Sequence, residues 1–134
     1  MYRKREKRAA TITHIVVHCT ATNPDMLVRD MEQLPYHFII TPSGKLTNLR
    51  PVSRRDSKVH IAWLGGLDKN GRHVDNRTDE QQETLFNSLI VLSERFDQAG
   101  ITGAGELYPY GFANPGFDLK AWLQEYIPVF LDAV

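Results

Sequence analysis

The stretch that most restricts the fold is Thr11-Ile12-Thr13-His14-Ile15-Val16-Val17-His18, rich in β-branched side chains and, toward its end, apolar on both faces. Branching at Cβ favours extended backbone, and apolarity on both faces demands cover on both sides, so the run predicts a central strand of a layered sheet. A chain of 134 residues, 42% hydrophobic and 24% charged, is large enough to supply one such core and ordinary enough to be one soluble domain.

The elements around that strand follow in order. Asn23-Pro24-Asp25 predicts a turn opening a short helix that runs through Met31 or Leu34 and stops at Pro35. Tyr36-His37-Phe38-Ile39-Ile40 and Lys45-Leu46-Thr47-Asn48-Leu49, separated by Pro42-Ser43-Gly44, predict a hairpin. Val59 to Leu64 is a further strand, ended by Gly65-Gly66, and Asp68 to Arg77 has the polarity of an exposed loop. Thr78 and Gln81 have the spacing of a capping box, and Leu85, Leu89, Leu92 and Phe96 continue at helical spacing until Gly100. A last helix is predicted from Asp118 to Tyr126, with Leu119, Trp122, Leu123 and Tyr126 on one face. Strands alternating with helices in this order predict an α/β fold: a single domain with a central mixed sheet flanked by helices.

Charge excludes little and directs less. Sixteen Lys+Arg balance sixteen Asp+Glu, so no net field draws the chain to nucleic acid or an anionic membrane. Residues 1–10 form a basic leader, Arg3-Lys4-Arg5-Glu6-Lys7-Arg8, read as a solvated terminus; nucleic-acid binding through it is the weakest functional reading. Cys19 is the single cysteine, so no internal disulfide forms. No apolar run approaches the ~20 residues of a membrane span and no signal peptide is recognisable, so the expectation is a protein cytoplasmic as synthesised and needing no membrane.

Three phrases carry a resemblance: Val16-Val17-His18-Cys19-Thr20-Ala21-Thr22, Tyr36-His37-Phe38-Ile39-Ile40, and Pro115-Gly116-Phe117-Asp118-Leu119-Lys120. With Gly65-Gly66-Leu67-Asp68 and Thr78-Asp79-Glu80-Gln81 between them, they resemble, in order and spacing, the zinc-dependent N-acetylmuramoyl-L-alanine amidases, the family of phage amidase lysozymes and peptidoglycan recognition proteins. The match covers residues 11–134 and suggests a phage or mobile-element origin. It implies a zinc ion held by two histidines and a cysteine, with an open fourth position for the attacking water, and a tyrosine and a lysine assisting the tetrahedral intermediate.

Tested position by position, that resemblance breaks at the metal. His18 matches the first ligand and Tyr36 the assisting tyrosine, but the second histidine is replaced by Ala104, the cysteine by Asn114 and the lysine by Phe112. A structural zinc site contributes on the order of 10–16 kcal/mol, so losing two ligands weakens binding by roughly 10⁴-fold, and no bound zinc or other cofactor is expected. Cys19 points to the opposite strand face from His18, and His14 lies ~13 Å away along the strand, so neither substitutes. His60 and Glu106 are the candidate replacement ligands of a rebuilt site. His37 is assigned a packing or hydrogen-bonding role, and His73 a solvated one.

The groove departs as well. The segments 53–58 and 22–36 are shorter than the resemblance implies for loops lining a peptidoglycan groove. Arg54, Arg55 and Lys58 are candidates to pair with peptide carboxylates or an acidic partner, and Tyr108, Tyr110 and Phe112 to form a contact surface or a plug. The leading expectation is therefore a catalytically inactive member of the fold that binds a muropeptide or a protein partner. Its alternative is an active amidase of the lysis type with a rebuilt metal site.

Overall fold

The computed structural model describes residues 11–108 and 114–125. The leader 1–10, Tyr110, Phe112 and Tyr126 fall outside the described residues. Five strands form one mixed sheet: β1 (His14–Cys19), β2 (Phe38–Ile40), β3 (Leu46–Asn48), β4 (Lys58–Trp63) and β5 (Gly100–Gly103), in the order β3-β2-β4-β1-β5. The run that opened the sequence reading is indeed internal, lying parallel to both β4 and β5. β2 is parallel to β4 and antiparallel to β3, the predicted hairpin.

Strand alternation sorts the side chains into two layers. On one face Ile15, Val17, Val59, Ile61 and Ile40 pack with Leu85, Leu89 and Leu92 of helix α2 (Asp79–Arg95) and with Leu119 and Trp122 of α4 (Leu119–Gln124). On the other, Ile39, Ala62 and Leu64 pack with Met31 of α1 (Val28–Met31), joined by the half-buried Leu34 and Tyr36. Complete burial of each large aliphatic side chain contributes roughly 1.5–3 kcal/mol, so the α2 face is the main source of stability.

Helix α2 starts as its sequence dictates. Thr78 Oγ1 accepts from Gln81 N and Gln81 Oε1 accepts from Thr78 N, both at 3.0 Å. Gln81 does more than cap: its Nε2 donates to Ile40 O and Leu64 O, each at 3.0 Å, riveting the helix start to the ends of β2 and β4. The helix ends at Arg95, with Phe96 as its cap, short of the predicted Gly100.

Two further expectations are corrected. The predicted helix from Asn23 shrinks to the four residues of α1, because Asn23 Oδ1 accepts from Asp25 N and holds a turn there instead. Residues 100–103, with no predicted strand, form β5. Its two β-branched residues, Ile101 and Thr102, lie between glycines in too short a run to announce a strand, and pairing with β1 makes it one. It leads directly into α3 (Ala104–Leu107). Among the described residues no helix is long and apolar enough to cross a membrane.

Candidate functional site

His18 stands near the end of β1 on the α1 side of the sheet and is 4% exposed. The parallel register sets His60 beside Val16 and Ala62 beside His18, so the two histidines share a face two register positions apart and their rings must lean together to meet. They do: His18 Nε2 and His60 Nδ1 are 2.9 Å apart.

The chain of contacts continues outward. His37 N donates to His60 O, and His60 N donates to His37 Nδ1, each at 3.0 Å. An Nδ1 that accepts carries a lone pair, which leaves the His37 proton on Nε2, 3.0 Å from Asp56 Oδ2. That carboxylate also accepts from Ser53 N at 2.7 Å. The Ser53 amide, seconded by the His37 side chain, holds the Asp56 carboxyl below the usual carboxylate range. The row reads Asp56, His37, His60, His18, from the rim to the buried strand.

Burial sets the electrostatics of this row. It drives the His18 imidazole down to about 3, with the neighbouring His60 adding to the effect. His60 is lowered as well, first by burial and then by His37 and Lys58. Both rings are therefore neutral near pH 7 and share one proton across their hydrogen bond. His18 Nδ1 is buried with no hydrogen-bond partner among the described residues. Tyr36 packs on His18 with ring centroids 4.8 Å apart, and Tyr108 stacks beyond at 6.5 Å and 21°.

The remaining positions of the expected metal site hold no such chemistry. Ala104, fully buried, follows Gly103, the register partner of Val17, and so meets the end of β1 with a methyl group. The Asn114 amide is occupied on both sides: Oδ1 accepts from Cys19 N at 3.0 Å and Nδ2 donates to Cys19 O at 3.2 Å. A side chain without a donor atom and an amide already bonded to backbone do not fit a zinc ion. His60 joins His18, but Glu106 does not join them: it is exposed, and its Oε2 accepts from Thr102 Oγ1 at 3.3 Å. Among the described residues no three His, Cys, Asp or Glu side chains are grouped to hold a metal ion.

The other singled-out residues separate cleanly. Cys19 is buried, its thiol pushed up by burial, and packs against Gly66 away from His18. His14 Nδ1 contacts Thr13 Oγ1 at 2.9 Å. His73 lies in the exposed loop, bridged to Leu67. Lys58 shares the His60 face at the start of β4, while Arg54 and Arg55 are exposed in the preceding turn. Asp56 was invisible as a site residue in the sequence, where it reads as one more charge in a polar turn; only the parallel pairing of β2 with β4 brings it to His37. Arg77, whose guanidinium lies 3.5 Å above the Phe117 ring, likewise gave no local signal.

No established family profile matches the sequence. Relatives do. The endolysin of Escherichia phage T7 is 28% identical over 144 aligned positions, covering 93% of this chain and 94% of that protein. The endolysin of Enterobacteria phage T3 is 28% identical over 138, covering 89% and 90%. Among solved structures, the Ph2119 endolysin of a Thermus scotoductus bacteriophage superposes with a TM-score of 0.65 at 19% identity, covering 88% of this chain and 86% of the other. The N-acetylmuramoyl-L-alanine amidase LysCS of Clostridium intestinale gives 0.64 at 17%, covering 81% and 78%. Drosophila peptidoglycan recognition protein SD gives 0.61 at 16%, covering 86% and 82%.

Proposed function

We infer, from the premise that this chain belongs to the N-acetylmuramoyl-L-alanine amidase and peptidoglycan-recognition family, that it is a binding module for peptidoglycan fragments whose cleft no longer runs metal-dependent hydrolysis. The observation that carries this reading is the side chain of Asn114, which stands where the resemblance places a thiolate and is bonded on both amide atoms to Cys19. Ala104 supports it, since a methyl group offers no lone pair. The neutral imidazoles of His18 and His60, with Tyr36 and Tyr108 packed on His18, suit sugar and peptide contacts through stacking and hydrogen bonds. Lys58 on the His60 face, and the exposed Arg54 and Arg55 of the preceding turn, suit the carboxylates of a stem peptide, or of an acidic protein partner.

The second reading is an active amidase with a rebuilt site. It is favoured by the pairing of His18 with Tyr36 and by relatives that carry the name endolysin. One set of measurements separates the two: zinc content of the purified chain, co-sedimentation with insoluble peptidoglycan, and release of peptide from it. Binding without zinc and without release is the expected result; stoichiometric zinc with peptide release overturns it in favour of the enzyme.

A further inference from the structure

We propose that Asn114 is a metal-free clasp: its side-chain amide takes up the Cys19 N–H and C=O that β5 leaves open and ties the 114–118 loop to the end of β1. This holds whatever the protein binds.

The geometry begins in the ladder. β5 pairs with β1 only as far as Gly103, opposite Val17, and then turns into α3. The backbone groups of alternate β1 residues face opposite neighbours: Thr20 N donates to Trp63 O of β4, so those of Cys19 are turned toward the β5 side, where no further strand residue follows. A primary amide carries its carbonyl and one N–H side by side, so it can meet both the N–H and the C=O of a single residue, which one trans peptide unit cannot. Asn114 presents both to Cys19, the carbonyl oxygen to its N–H and the N–H to its C=O.

The clasp is embedded. Asn114 O accepts from Gly105 N at 2.7 Å, closing the loop onto α3, and Trp63 Nε1 donates to Pro115 O at 2.7 Å, closing it onto β4. A Cβ on Gly105 would lie 2.9 Å from Asn114 O, so the approach requires glycine there. Asn114 is itself buried. The end of β1, α3 and the 114–118 loop thus converge on one residue, Asn114. A metal-bound side chain could join the same elements only by giving up these two bonds, so an asparagine clasp and a metal tie are alternatives at this position.

The test is amide hydrogen exchange followed by NMR on the full chain, with thermal melting in the presence of EDTA and of added zinc. In the wild type the Cys19 amide should exchange at least about 100-fold more slowly than the exposed loop amides of Lys69 to Arg72. Its Tm should stay within about 1 °C with either additive. Asn114→Ala should lower Tm by about 5–10 °C and speed exchange at Cys19 and Gly105 by more than at Leu85 or Leu89. Asn114→Asp, which keeps the acceptor and loses the donor, should retain more Cys19 protection than Asn114→Ala. A wild-type Cys19 amide that exchanges as fast as the loop, or a Tm that falls by several degrees with EDTA, overturns the proposal. Those two wild-type readings decide the matter even where Asn114→Ala proves too unstable to purify.

Discussion

His18 Nε2 lies 2.9 Å from His60 Nδ1, and the two rings, tilted by 49°, share a single proton inside a largely water-free sheet face. A base kept neutral by burial binds its proton more weakly folded than unfolded. Stability from this pair is therefore complete above the unfolded value near 6.5 and is lost as pH falls from there toward the folded value, about 3 for His18. Each histidine whose folded form resists protonation contributes a slope of about 1.4 kcal/mol per pH unit in that window. Urea denaturation at pH 7.5, 6, 5 and 4 should show stability dropping on acidification, and His18→Phe should flatten the curve. A curve flat from pH 7.5 to 4 in the wild type would contradict the burial of the pair.

Asp56 supports the row from its exposed end. Asp56→Ala leaves Ser53 N and His37 Nε2 without their acceptor, and the expected loss is about 1–2 kcal/mol at pH 7. Nitrogen-15 NMR of the His37 ring offers the finer check: the wild type should show the Nε2–H tautomer, and the variant a mixture.

Gln81 makes four hydrogen bonds that join three elements. Gln81→Leu keeps the bulk but leaves Leu64 O without its donor, leaves Ile40 O with Leu64 N alone, and removes half of the capping box, for an expected loss of about 1–3 kcal/mol. Guanidinium titration should report a lower midpoint with an unchanged slope; a loss under about 0.5 kcal/mol would mean that Leu64 O finds another donor.

Gly65 has φ +141°, and a Cβ there would lie 2.7 Å from Asn76 Oδ1 and 2.9 Å from the Trp63 ring. Gly65→Ala meets both backbone strain and a clash, so it should destabilise by about 2 kcal/mol or more. Gly71→Ala has a positive φ but open space around it, and should lose less. Parallel thermal melts of the two variants rank them.

Most of the frame was legible because it is written in local chemistry. The branched run of β1, the hairpin at Pro42-Ser43-Gly44 and the capping box at Thr78 each carry their own signal, and each is where the sequence places it. β5 carries none: Gly100-Ile101-Thr102-Gly103 is extended because β1 offers it an edge, and that edge exists only after folding. The site divides in the same way. That Ala104 offers no donor atom and Asn114 no thiolate is residue chemistry and was readable, whereas the link from Asp56 through His37 to His60 depends on the parallel pairing of β2 with β4. His60 was foreseen as a neighbour of His18 but as a metal ligand; Glu106 was foreseen beside them and is bonded to Thr102 instead.

The position of β1 carries a consequence for how such a cleft can change. Its side chains alternate between the two layers, so a lesion anywhere along this strand, His18 included, disturbs the packing on which the whole domain depends. Ala104 and Asn114 stand where the pairing of β1 with β5 has already ended. A substitution at Asn114 should therefore loosen the local clasp on Cys19 first, whereas any change at His18 is felt at once in the interior of the sheet.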